Sequence, residues 1–189
     1  MAPVDIWFLV LGIIAAIVNI SSYQIKREKT YLIFQVCMAA ILVVQYGLIG
    51  AWAAVILNSI STLRALTFYF NKNNKERNRI LGIIFIILNV AAIIISCTVF
   101  KEYWYMGLVI GVAQIVGTIA MATDDNKIVK IAQLFIVSPC WLAYATFYTC
   151  IGHPNYGGIV MEAMNMVSII VFFIRIKLEK KNNQTEAEK

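Results

Sequence analysis

The chain has 189 residues, 61% of them hydrophobic and 14% charged, with a formal net charge of +6 and a mean hydropathy of +0.78. A soluble domain carries about 25% charged residues, so this composition excludes a soluble globular protein and indicates one that sits in lipid. The positive balance does not indicate nucleic acid, because the basic residues are scattered over short loops and a tail, with no basic face carrying interleaved aromatics.

A helix needs about 20 apolar residues to cross the hydrocarbon, and seven such stretches follow one another. The first runs from about Ile6 to Tyr23 and is followed by Lys26, Arg27 and Lys29. It starts almost directly after Met1 and is too long for the core of a cleaved leader, so it is expected to serve as an uncleaved signal anchor. The second runs from about Tyr31 to Leu48, and a minimal turn, Gly50-Ala51-Trp52, leads into a third that ends near Tyr69. Together these two are about twice the length one crossing requires, so they are read as two helices. The polar segment from Asn71 to Arg79 is expected in water. A fourth stretch covers about Ile80 to Phe100, and Lys101-Glu102 forms a corner before the fifth, Tyr105 to Thr123. Asp124, Asp125, Lys127 and Lys130 make a nearly balanced loop ahead of the sixth, Ile128 to Tyr148, and the seventh spans Gly157 to Ile176. From Lys177 to Lys189 the chain is polar and aperiodic and reads as a disordered tail.

Positive residues accumulate in short cytoplasmic loops. Seven crossings put fifteen of the sixteen Lys and Arg on one side, leaving Lys101 alone on the other. The N-terminus is therefore expected outside and the C-terminus in the cytosol. Cys37, Cys97, Cys140 and Cys150 lack metal-ligand spacing and are expected as small buried hydrophobes. His153 is the single histidine, so no histidine-based metal site or Ser/His/Asp triad can be assembled. No metal, cofactor or enzymatic activity is expected.

An internal repeat organises these elements. Leu9-Val10-Leu11-Gly12 matches Leu108-Val109-Ile110-Gly111, Ile33-x-Gln35 matches Ile131-x-Gln133, and Tyr46 matches Tyr144. Asn58-x-x-Ser61 then matches Asn165-x-x-Ser168 beyond a longer outer loop, Thr149 to Tyr156. A three-helix unit repeated directly would insert upside down, because three is odd, and one extra helix restores the orientation. The expected fold is all-α: seven transmembrane helices as two parallel three-helix bundles joined by an inversion linker helix. Residues 1–70 form the first bundle, 71–103 the cytosolic loop and linker, 104–178 the second bundle and 179–189 the tail.

This plan resembles the SWEET sugar transporters and their PQ-loop relatives. Trp141-x-x-Tyr144-Ala145 followed by Asn165 is similar to the sixth and seventh helices of that group, and Tyr46-Gly47 followed by Asn58 to the second and third. A closer likeness is to bacterial inner-membrane proteins of the YgjV type. It rests on Ser22-Tyr23-Gln24, Gly50-Ala51-Trp52, Ser138-Pro139-x-Trp141-Leu142-x-Tyr144 and Gly158-Ile159-x-x-Glu162-x-x-Asn165, and covers the chain to about Arg175. The PQ dipeptide would fall at Tyr23-Gln24, so its proline is missing, as are the other hinge prolines of the family. The resemblance implies a multi-pass inner-membrane transporter of a sugar-like or other small polar solute, working by alternating access around a midplane cavity. It also implies an alternative, a non-transporting scaffold, sensor or receptor on the same fold, since relatives include a cargo receptor. Self-assembly is permitted rather than required, because one chain holds both halves of a pore.

Polar side chains inside a bundle face its interior or a water-filled cavity. Asn58 and Asn165 sit about eight residues in from the outer ends of their helices, roughly 12 Å deep. The two amides either grip a small polyhydroxyl or amide-bearing solute or form an interhelical hydrogen bond. Glu162 lies three residues before Asn165 on the same helical face, and either exchanges a proton during transport or pairs structurally. Gln114, Thr118 and Asn19 add polarity, and Ser61 and Ser168 accompany the two asparagines. Tyr46, Trp52, Trp141 and Tyr144 serve either as interfacial anchors or as a stacking surface for solute. Gly107-x-x-x-Gly111 reads as a close-packing face. Pro139 must bend the sixth helix and, with Gln24, marks a hinge or gate. Arg64, near a helix end, is expected to snorkel toward water. The sequon Asn183-Gln184-Thr185 falls in the expected cytosolic tail and is read as chance.

Overall fold

In lipid every backbone amide must find its partner within the protein, which confines a chain this apolar to helices. The computed structural model describes residues 3–48, 52–72, 74–100, 103–151 and 156–187, and among these the regular structure is helical throughout. The helices are α1 (Pro3–Tyr23), α2 (Glu28–Leu48), α3 (Trp52–Phe70), α4 (Lys75–Thr98), α5 (Trp104–Ala122), α6 (Asn126–Cys150) and α7 (Tyr156–Ala187). By length and composition α2, α4, α5, α6 and α7 can each cross a membrane, and α1 and α3 contribute the shorter apolar stretches Val10–Tyr23 and Ala54–Phe70. The turn at 49–51, the corner Lys101-Glu102 and His153 lie outside the described residues.

Surface and interior are inverted relative to a water-soluble protein. Ile17, Ile87, Leu108, Phe135 and Val160 are exposed, while Asn19, Gln35, Asn89, Thr118 and Asn165 are buried. That is the arrangement lipid selects: apolar side chains cost nothing outside, and polar groups find partners only inside. Of the unpaired cysteines, Cys37 and Cys150 are exposed rather than buried. A thiol is apolar enough to face acyl chains, so burial is not demanded of it.

Packing follows chain order. Each helix packs on its neighbours in sequence, and α7 returns against α1. In addition α3 touches α5, which leaves α4 outside that contact. In the trios α1–α3 and α5–α7 the middle helix packs on both its neighbours while the outer two do not pack closely on each other, so each trio runs as an arc. Polar side chains and a cavity occupy the space between the arcs. As expected, Gly107 and Gly111 are contact points: a Cβ would lie 2.8 Å from Cys97 Sγ at the first and 2.8 Å from Ile93 Cδ1 at the second. Gly12 likewise admits Gln45 of α2, whose Nε2 would stand 2.7 Å from an added Cβ.

The end of the ring that carries the α1–α2, α3–α4 and α5–α6 connections is basic. Tyr23, Tyr31, Phe68, Met121, Val129 and Ile169 pack there into an apolar plug. Outside the plug, Lys72 joins Glu28 and Asp124 in a three-part ion pair. Asp125 caps α6 by accepting from the Lys127 amide at 2.8 Å. Asp124 adopts φ 60° in the same turn, a left-handed conformation that Asp tolerates better than most residues.

Three features of this end differ from the sequence reading. The segment from Asn71 to Arg79 is not wholly in water, because α4 begins at Lys75, capped by the Asn74 side chain on the Arg77 amide, and Asn78 is buried. Lys130 is also buried; its Nζ donates to Ile25 O at 2.7 Å and lies 3.2 Å from the centre of the Phe172 ring. The tail is helical through Ala187, because Leu, Glu and Lys are strong helix formers and Arg175 and Glu179 form an i,i+4 pair. Lys26 bridges to the same Glu179 from the start of the α1–α2 connection.

Candidate functional site

Above the plug lies a cavity of about 90 Å³. Its wall takes Asn19 and Tyr23 from α1, Gln35 and Tyr46 from α2, and Asn58, Ser61 and Arg64 from α3. The opposite wall takes Gln114 and Gly117 from α5, Gln133 and Trp141 from α6, and Glu162 from α7. No α4 residue lines it. Three polar networks surround this space.

In the first, Gln35 Nε2 donates to Asn19 Oδ1 at 3.1 Å and to Ser22 Oγ at 3.0 Å, and Ser22 Oγ donates to Asn19 O. The second joins α3 to α5. Arg64 Nη1 donates to Gln114 O and Oε1, both at 3.1 Å, and to Thr118 Oγ1 at 2.7 Å. Ser61 Oγ reaches the same Gln114 Oε1 at 3.3 Å, and Asn89 of α4 supports Thr118 from behind at 3.3 Å. The third joins α6 to α7: Gln133 Nε2 donates to Ser138 Oγ at 3.0 Å, Ser138 bonds the Glu162 carboxylate, and Asn165 Nδ2 donates to Glu162 Oε2 at 3.2 Å.

The polar residues singled out from the sequence divide into two groups. Asn58, Ser61, Gln114, Tyr46, Trp141 and Glu162 all reach the cavity. Asn58 spends its amide nitrogen on Ala54 O, one turn back, at 2.8 Å. Asn165 does not line the cavity; it is fully buried behind Glu162, and its Oδ1 has no hydrogen-bond partner. The expectation of two matched amides facing each other is corrected accordingly, because the neighbouring carboxylate takes the Asn165 side chain. Ser168 lies in the α1–α7 seam, donating to Ile20 O and accepting from Gln24 Nε2 at 2.8 Å. Tyr144 belongs to an aromatic ladder that starts at Trp141 and continues through Tyr148 to Tyr103.

Pro139 stands two residues past the end of a π-helical segment, Gln133–Val137, within α6. Proline lacks an N–H and its ring crowds the carbonyl four residues earlier. A wide turn just before it accommodates both defects, and such bulges recur at functional sites.

Arg64 is a further residue placed differently from the expectation. It does not snorkel. It is 7% exposed and stands in the cavity wall about 9 Å of helix length from the end of α3 at Phe70. The signal was available, since Asn58, Ser61 and Arg64 recur at three-residue intervals and so share one face. Gln35 and Gln133 were noted only as repeat markers; a matched pair of amides, one buried and one half-buried, was itself a pointer to the interior.

Helices with apolar exteriors ringed around buried polar networks define a polytopic α-helical membrane protein. Residues 7–180 match the family model described as Imp-YgjV, bacterial inner membrane protein. The chain belongs to that family and is a protein of the bacterial inner membrane. No curated protein and no solved structure matches it.

Proposed function

We propose that this protein carries a small polar solute across the inner membrane by alternating access around the central cavity. In this reading α1–α3 and α5–α7 are two like-oriented repeats with α4 as inversion linker, the plan of the SWEET and PQ-loop transporters. The N-terminus faces outward and the basic end faces the cytosol. The observation that supports it is the composition of the wall: three helices from each half line the cavity and α4 contributes nothing. Gln35 and Gln133, equivalent in the repeat, enter from opposite arcs. Solute would meet Asn58, Ser61, Gln114, Tyr46, Trp141 and Glu162, with Asn165 acting through Glu162.

The conformation described is closed at the basic end by the apolar plug. A cavity of about 90 Å³ is well below the roughly 300–1,000 Å³ of drug-sized ligand pockets, so the arcs must separate before a hexose-sized solute fits. The break in α6 before Pro139 and the Gln24–Ser168 contact in the α1–α7 seam are where such a motion would be absorbed. The small cavity and the Glu162 carboxylate already bonded to Asn165 and Ser138 favour a second reading, a sensor or scaffold that transports nothing. Uptake by protein-loaded liposomes separates the two. Asn58→Ala should lower uptake at least about tenfold, the effect of about 1.4 kcal/mol, while leaving the melting temperature in place. If no solute in a broad panel enters faster than into empty liposomes, transport is refuted.

A further inference from the structure

We propose that the ligand of this cavity is a small monovalent anion, a carboxylate or an oxyanion of similar size, held on Arg64. The proposal rests on the cavity being a solute site and names the chemistry of the solute. Arg64 carries a guanidinium that stays protonated in proteins, yet it is buried in the cavity wall. The groups its Nη1 donates to, on Gln114 and Thr118, are neutral acceptors. Among the described residues no carboxylate stands at ion-pair distance from it. Its Nε is buried and has no hydrogen-bond partner.

A buried cation is expensive unless an opposite charge compensates it, and an isolated one costs most in low-dielectric surroundings. Glu162 is the acidic side chain on the same cavity, but it sits elsewhere in depth. Arg64 is about 18 Å of helix length beyond Trp52, and Glu162 is about 9 Å beyond Tyr156. Glu162 is also bonded to Asn165 and Ser138. The repeat sharpens the point, because the position equivalent to Arg64, counted from the Asn58 and Asn165 match, is Val171. The second arc offers no twin cation, and the asymmetry confines the charge to one wall.

The guanidinium geometry specifies the partner. Nη1 is committed to α5, and Nε, on the other edge beside Nη2, is without an acceptor. That edge matches the two oxygens of a carboxylate or planar oxyanion in the bidentate arrangement arginine favours. The space fits this class too: about 90 Å³ holds roughly three waters at about 30 Å³ each, the scale of acetate or nitrate.

The test uses the full-length protein in nanodiscs at constant ionic strength. Binding of acetate and of nitrate is measured by calorimetry and thermal shift, against acetamide as the neutral isostere of acetate. The expected result is saturable binding of the anions, at least about tenfold tighter for acetate than for acetamide. Arg64→Gln should abolish the anion effect and Arg64→Lys, which keeps the charge without the fork, should weaken it. Equal binding of acetate and acetamide to the unmodified protein overturns the proposal whether or not the variants fold. So does anion binding that survives Arg64→Gln, and so does the absence of binding by either anion. Liposome uptake is scored separately: neutral solutes that enter without anion binding refute the charge assignment and leave transport standing. Anion binding without uptake supports the assignment while refuting transport.

Discussion

Lys72 ties together three connections at the basic end, and its removal has a calculable consequence. Its ammonium contacts Glu28 at the start of α2 and Asp124, 2.9 Å away, in the α5–α6 turn. All three side chains are largely shielded, at 15% exposure for Lys72, 9% for Glu28 and 10% for Asp124. At 2.9 Å a unit pair attracts by about 6 kcal/mol in an effective dielectric of about 20, and most of that is offset by desolvation. Exposed pairs are worth up to about 1 kcal/mol, and losing one partner of a fully buried pair costs about 3–5 kcal/mol. Lys72→Met removes the cation that these two shielded carboxylates share, so a loss of about 2–3 kcal/mol is expected, between those limits. For a chain of this size that lowers the melting temperature by roughly 5–10 °C. Intrinsic fluorescence of the detergent-solubilised protein during heating measures it. Lys75→Met, at an exposed position on the first turn of α4, is the control and should change little. The triple variant Lys72→Met, Glu28→Gln, Asp124→Asn should recover more than half of the loss, because the two shielded side chains no longer carry charge. If Lys72→Met and Lys75→Met melt together, the ion pairs do not hold this end closed and the reasoning fails. Burial alone would lower the Lys72 pKa, but hydrogen bonds to Glu28 and Asp124 outweigh it and raise the pKa above the ordinary lysine value. A base whose folded-state pKa is raised stabilises fully below its unfolded pKa and loses that contribution as pH climbs through the folded one. Lys72 should therefore contribute nothing to pH dependence across neutral pH, and its contribution should vanish only in strongly alkaline solution.

Two further outcomes follow from close contacts and from the break in α6. Gly111→Ala places a Cβ 2.8 Å from Ile93 Cδ1, an overpacking cost of about 1–3 kcal/mol set against a helix-propensity gain of about 1 kcal/mol. It should destabilise the native chain but stabilise an Ile93→Val background, in which Cδ1 is gone; the same sign in both backgrounds rules the contact out. Pro139→Ala removes the reason for the π segment, so amide exchange across residues 133–139 should slow at least about tenfold as a regular helix forms. Unchanged exchange, read by mass spectrometry, means the wide turn has another cause.

The positions of the helices were largely readable from the chain, because the length of an apolar run is set by the bilayer. Their rotation was not. Lipid and protein interior are both apolar, so hydropathy cannot say which face of a helix looks inward; only polar residues report it. Where polar residues recur on one face, as with Asn58 and Ser61, the reading reached the cavity. Where a single charge sat close to a helix end, as with Arg64 and Lys130, proximity to water was the wrong guide, since both reach inward to backbone and side-chain acceptors. Asn165 was misjudged for a different reason. Its depth was right, but Glu162 one turn away competes for its amide, and competition within one helix is invisible to a comparison between helices. Ser168 shared the register of Ser61 and yet turned to α1, because α7 has two neighbours in the ring and spacing does not choose between them.

The central claim is that the space between the two arcs opens to each side of the membrane in turn. Ser61 lines that space beside Gln114, which makes Ser61→Cys, with the four native cysteines replaced, the direct probe. A membrane-impermeant thiol reagent is applied separately to each face of oriented vesicles, and the labelling rate at position 61 is followed. The account predicts labelling from both faces. A cysteine there that reacts from neither face, or from one face alone under every solute and ionic condition, would contradict it.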